Sequence, residues 1–236
     1  MENIILVAVI FVAVFTQSLT GFGSALTSMP ILAPLLGLSV AAPTVALLGG
    51  AMEIVLVIYY RDAINVRAVW RLILASFVGI PAGVYLLRRV DERVTLLVLG
   101  VIVVVYALYA LLNFKLPKLE HPVWSYLAGF FAGVFGGAYN TAGPPVIIYG
   151  NCRQWEPTEF KANLQGFFLI NSAAVIVSHA LAGNITPLVW QKFLLALPAV
   201  AVGILAGTAL DKRLSAETFR KVVLVLLVVL GIRLLF

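Results

Sequence analysis

Nineteen consecutive residues, Val94–Leu112, carry no charge, and Phe193–Leu210 adds eighteen more. At ~1.5 Å of rise per residue, each run is about long enough to cross the hydrocarbon core of a bilayer as a helix. Such segments leave few folds open, because backbone polar groups in lipid must be satisfied within the segment itself. The rest of the chain agrees: of 236 residues, 62% are hydrophobic and 11% charged, and the mean hydropathy is +1.07. A water-soluble domain carries about 25% charge. The fold class expected is an all-α, multi-pass integral membrane protein whose main partner is the lipid bilayer. The opening "MENIILVAVIFVAVF" carries Glu2 in place of a basic region and has no small-residue cleavage site, so it reads as a retained helix.

The net charge of +6 sits mostly in short connections, where basic residues orient a chain in the membrane. No basic groove with interleaved aromatics is present, which excludes nucleic acid as a partner. Cys152 is the single cysteine, and Cys152, His121 and His179 are isolated from one another, so neither a metal site nor a cofactor is expected. No nucleophile and base fall together in a pattern that would make the chain an enzyme.

The chain repeats itself. A shift of 114 places Gly23, Thr27, Pro30, Pro43 and Thr44 on Gly137, Thr141, Pro144, Pro157 and Thr158. A shift of 124 places "GIPAG" at 79–83 on "GILAG" at 203–207. Two membrane repeats, 1–114 and 115–236, are expected within one compact domain. Each has a long apolar segment, a Gly-rich break, a shorter segment and then three longer ones. The first half gives 3–20, 30–37, 40–60, 68–87 and 94–113; the second gives 123–135, 146–150, 160–182, 188–210 and 217–236.

Charge decides the path. If each opening pair is a hairpin returning to its starting side, Arg61, Arg67, Arg71, Lys115, Lys118, Arg153, Lys161, Lys212, Arg213, Arg220 and Lys221 share one side. Only Arg88, Arg89, Arg93, Lys192 and Arg233 take the other. That asymmetry satisfies the positive-inside bias, with both termini outside, and makes the halves inverted. Inverted repeats with broken helices are a recurrent transporter plan with a midplane substrate site.

The breaks are where chemistry is expected. In "GGAYNTAGPPVIIYG" (136–150), Pro144 suits the first position of a new half-helix, whose positive dipole end favours an anion. Asn140 and Thr141 then lie in the unwound connection, with backbone N–H groups around Gly143. The first-half break offers Ser24 and Thr27 ahead of Pro30. Downstream, Gln165 and Asn171 stand inside an apolar span and are candidates to line the same cavity. The glycines of "GIPAG", "GILAG" and Gly129–Gly133 have the spacing of helix-packing residues. Asn113 closes a span away from either break.

These stretches, "GFGSALTSMPIL", "GVFGGAYNTAGPPVIIYG" and "FKANLQGFFLINS", resemble the sulfite exporter TauE/SafE family over essentially the whole chain. Where the family has a "GGPP"-like break, this chain reads Ala142-Gly143-Pro144-Pro145, and its first half has the single Pro30. The resemblance implies secondary transport of sulfite, organosulfonates or related small anions across the bacterial inner membrane.

Three ionisable residues remain. Glu53 is the one carboxylate well inside an apolar segment, which marks a candidate for proton coupling. His179 titrates in the right range for the same role. Lys161 suits attraction of an anion at the mouth, or a snorkelling anchor. The leading expectation is a small-anion transporter working by alternating access; an anion channel is the alternative and a membrane enzyme a more distant one. A homo-oligomer is compatible with these features.

Overall fold

The computed structural model describes residues 1–112, 116–210 and 216–236. Asn113, Lys115, Lys212 and Arg213, named in the expectations above, lie outside the described residues. Among the described residues ten α-helices follow one another: α1 (Glu2–Thr20), α2 (Ser24–Leu36), α3 (Leu38–Tyr60), α4 (Val66–Arg89), α5 (Glu92–Leu112), α6 (Val123–Tyr139), α7 (Gly143–Cys152), α8 (Pro157–Leu181), α9 (Pro187–Leu210) and α10 (Ala216–Arg233). Six of them, α1, α3, α4, α5, α8 and α9, are long and apolar enough to cross a bilayer.

The opening pairs are hairpins. The end of α7 returns to the residues before α6: the Leu119 N–H donates to the Cys152 carbonyl at 3.3 Å, and Arg153 Nη1 donates to the Leu119 carbonyl at 3.0 Å. In the first half, Pro34 and Leu35 of α2 line a groove with Ile5 of α1, so α2 also runs back toward its start. Arg93 and Arg233 share that groove, and Lys192 pairs with Glu2 and Asn3.

Small residues set the closest packing. A Cβ on Gly129, Gly133 or Gly137 of α6 would collide with the backbone of Leu72, Ser76 or Ile80 of α4, and Gly79 and Gly83 meet the α6 backbone in the same way. Since the contacts climb both helices together, α4 and α6 run parallel. Gly203 and Gly207 of α9 lie against Val14 and Ser18 of α1, again in parallel. By contrast α3 and α8 are antiparallel: Gly50 meets Ile176 while Ile64, just past α3, meets Gly166. So are α5 and α10, where Gly100 meets Leu234 and Gly231 meets Val104.

The expected start of the second short segment holds, but the first is corrected. Pro30 lies inside α2, and the helix begins six residues earlier at Ser24. Proline is tolerated within membrane helices when neighbours satisfy the freed backbone groups. What breaks the chain is Gly21 at φ +88° and Gly23 at φ +106°, backbone that L side chains rarely adopt. Ser24 and Thr27 are therefore helical.

Candidate functional site

Each hairpin turns through a left-handed cap. Gly21 ends α1, its N–H donating to the Gln17 carbonyl at 2.7 Å. Asn140 does the same for α6 at φ 56°, its N–H donating to the Gly136 carbonyl at 2.8 Å while the Thr141 N–H reaches the Phe135 carbonyl at 3.2 Å. Asn is one of the few non-glycine residues that accept this region, so a polar side chain can stand at the turn itself. Pro144 and Pro145 then open α7 just after Gly143, as the first turn of a helix allows.

The two turns meet. Between them lies a cavity of about 30 Å3, lined by Gln17, Ser24, Glu53, Asn140, Thr141, Gly143, Asn171 and Ser172, with Phe168 as an apolar wall. That is room for about one water molecule. Asn140 Nδ2 lies 3.4 Å from where a Cβ on Gly49 would stand, and Glu53 Oε1 lies 4.0 Å from the same point. The Asn171 carboxamide rests on Gly136, whose Cβ would come 2.8 Å from Oδ1. Two glycines thus hold space for the polar groups around the cavity.

The polar groups around the cavity differ between the two breaks in how they are satisfied, although the Ser18 and Ser28 hydroxyls flanking the first are also buried without a partner among the described residues. At the first, Gln17 Oε1 accepts from both the Ser24 N–H at 3.1 Å and the Ser24 hydroxyl at 2.5 Å. Gln165 Nε2 donates to the Gly21 carbonyl at 2.7 Å, and Gln17 Nε2 donates to Gln165 Oε1 at 3.4 Å. At the second, the Thr141 hydroxyl and Asn171 Nδ2 are buried without a hydrogen-bond partner among the described residues. A buried donor left unpaired costs about 1–3 kcal/mol, so such groups mark where a ligand or water belongs. No basic side chain among the described residues lines the cavity. Its donors are neutral, and its one ionisable group is Glu53, which shares the lining with Ser172.

The residues singled out in the sequence divide accordingly. Ser24, Asn140, Thr141, Gly143, Asn171 and Glu53 come together. Gln165 stands one layer behind, on the far side of Gln17. Thr27 turns away, its hydroxyl donating to the Gly23 carbonyl at 2.8 Å. Lys161 Nζ donates to the Leu19 carbonyl at 3.1 Å, placing a cation at the C-terminal end of α1, where it complements the helix dipole. His179 is buried near the end of α8, its Nδ1 2.9 Å from Asn184 Nδ2. Gln17 escaped the sequence reading; its signal was a carboxamide in the second half of the largely apolar α1, four residues before Gly21.

Similarity to known proteins follows the whole chain. A probable inner membrane transporter protein, TsaS, of Comamonas testosteroni is 28% identical over 71% of this chain and 71% of its own. The probable sulfite/organosulfonate exporter TauE of Cupriavidus necator is 24% identical over 92% of this chain and 87% of its own. A probable membrane transporter protein of Haemophilus influenzae is 27% identical over 90% and 83%. No solved structure matches. Its helices and its relatives make this a multi-pass membrane transporter and not an enzyme, and since residues 6–234 match the sulfite exporter TauE/SafE family, the chain belongs to that family.

Proposed function

We propose that this protein moves a small oxyanion, sulfite or an organosulfonate, across the bacterial inner membrane by alternating access of two inverted repeats, 1–114 and 115–236. The observation that carries the reading is the cavity between the two breaks, where unpaired neutral donors of Thr141 and Asn171 stand beside Asn140 and the start of α7. Neutral donors bind an anion in a low-dielectric site without the hold of a fixed cation, so release stays fast. The narrowness of the cavity, about 30 Å3, favours a carrier that opens to load its anion over a permanently open channel.

Helix directions support the inversion. Helices in corresponding positions, α3 with α8 and α5 with α10, pack antiparallel, whereas the exchanged pairs α1 with α9 and α4 with α6 pack parallel. A two-fold axis in the membrane plane produces that combination; an axis along the membrane normal would set like helices parallel. The positive-inside bias then assigns the sides. A cysteine introduced at Lys118 is expected to react with impermeant reagent from the cytoplasmic face, and one at Arg89 from the outer face. The reverse result, or both labels on one face, would remove the inverted arrangement.

Glu53 is the group through which a proton would be coupled, because an ionised carboxylate and an anion ~4 Å apart repel by about 4 kcal/mol at an effective dielectric of 20. Transport itself is tested in proteoliposomes holding the purified protein. Saturable uptake of radiolabelled sulfite or a short alkylsulfonate is expected, with carboxylates competing poorly. Empty-liposome rates for every sulfur oxyanion would overturn the reading.

A further inference from the structure

The carboxyl of Glu53 shares its space with the anion's donors. It projects from α3 into the cavity, whose lining it shares with Ser172, and Oε2 has no partner among the described residues. The same cavity holds Asn140, Thr141 and Asn171. Among the described residues no second charge lines the cavity to balance it. Of the elements packed against α3, α2 and α6 carry no charged residue. The Arg61–Asp62 pair sits in the exposed turn after α3. On α4, Arg67 and Arg71 stand in the first two turns and Arg88 and Arg89 in the last. On α8, Glu159 accepts from Asn65, Lys161 binds the Leu19 carbonyl and His179 contacts Asn184; on α9, Lys192 pairs with Glu2. None of these lines the cavity.

We infer that the proton and the anion occupy this one cavity together, which makes the protein a proton–anion symporter; the inference rests on the transport reading above. With Glu53 ionised, a second negative charge is repelled from a site that offers it only neutral donors. With Glu53 protonated, the repulsion is gone and the carboxylic acid adds a donor, its O–H facing the anion. Each ligand therefore favours the other by the same factor. An antiporter needs the opposite relation, in which the loaded anion site and the loaded proton site exclude one another.

Stoichiometry and energetics follow from the balance of charge. One proton enters from water on the loading side, rests on Glu53 and leaves with the anion on the other side. A singly charged anion plus one proton is a neutral load, so the membrane potential does no work on it. An inward proton gradient drives uptake, and export runs down the anion's own gradient.

The experiment uses proteoliposomes in weak buffer with a pH indicator inside. Two probes are added outside: methanesulfonate, which stays ionised throughout and therefore counts the protons, and sulfite with both faces in acidic medium, followed by its radiolabel alone because hydrogensulfite can shed its own proton. Uptake of methanesulfonate should acidify the lumen by one proton per anion, and uptake of either should be unchanged by an imposed potential. Methanesulfonate affinity should weaken about tenfold per pH unit above the titration of Glu53, as one linked proton requires. Glu53→Gln should abolish both the lumenal acidification and this pH dependence. If that variant does not fold, the direction of proton movement in the wild type decides alone. Anion uptake with an alkaline lumen, or with no proton movement, overturns symport and leaves the transporter reading standing. Uptake of neither probe overturns the transporter reading, and symport with it.

Discussion

Gly133→Ala is expected to lose folded protein outright. The added methyl would overlap the Ser76 carbonyl and stand 2.8 Å from the Ser76 Cα, so α4 and α6 would have to part. Backbone cannot rotate aside as a side chain can, and the same interface is fixed by Gly79, Gly83, Gly129 and Gly137 at successive turns. Helix association in lipid depends on close van der Waals packing, because lipid tails are as apolar as the side chains. Overpacking a core costs about 1–3 kcal/mol and more where nothing can yield, and here nothing can. Purified in detergent, the variant should give little monodisperse protein and a sharply lowered melting temperature. Gly143→Ala is the comparison: its Cβ would meet only the ends of Ile147 and Phe168 side chains, at 3.4 and 3.8 Å. It should melt close to wild type. If Gly133→Ala also melts like wild type, the close contact of α4 and α6 is not what holds the halves together.

Much of this architecture was legible because lipid leaves so few options. Ten apolar segments become ten helices, and the Gly-x-x-x-Gly stripes sit at the tightest crossings. The second break was legible too, since Asn140 follows paired glycines and precedes paired prolines, and both signals point to one place. At the first break the signals conflict. Pro30 suggested a helix start, but Gly21 and Gly23 make the turn and Pro30 is absorbed into α2. Register between helices was not legible at all. Gln165 and Ser172 share a helical face, yet they stand about 10 Å apart along the axis at ~1.5 Å per residue. Ser172 is thus level with the cavity, while Gln165 reaches the back of the α1 turn. That Glu53 joins Asn140, 87 positions later in the chain, depends on where Gly49 lets α3 approach the second break. Only assembly of the helices sets that.

Thr141→Val and Asn140→Gly are each expected to weaken sulfite binding ten- to hundredfold while the ligand-free protein keeps its fold. A hydrogen bond to a charged ligand contributes about 1.5–3 kcal/mol, and every 1.4 kcal/mol is about a factor of ten in affinity. Thr141 makes the cleaner case. Its hydroxyl is buried with no partner among the described residues, so replacing it with a methyl of nearly the same shape removes a desolvated donor and breaks nothing. The ligand-free melting temperature should hold or rise, and only the ligand's stabilising shift should shrink. At 140 the backbone decides the choice of substitution. Asn140 sits at φ 56°, where alanine would add a strain of about 1–2 kcal/mol, whereas glycine adopts that region freely. Glycine therefore removes the carboxamide without confusing a lost contact with a lost turn. Thr208→Val is the control: that hydroxyl donates to the Ile204 carbonyl of its own helix at 2.7 Å and lines no part of the cavity, so its loss should leave affinity unchanged. The measurement is sulfite binding by calorimetry in acidic buffer, with thermal melts run alongside. Wild-type affinity in both Thr141→Val and Asn140→Gly would mean the second break serves motion or packing and the anion binds elsewhere.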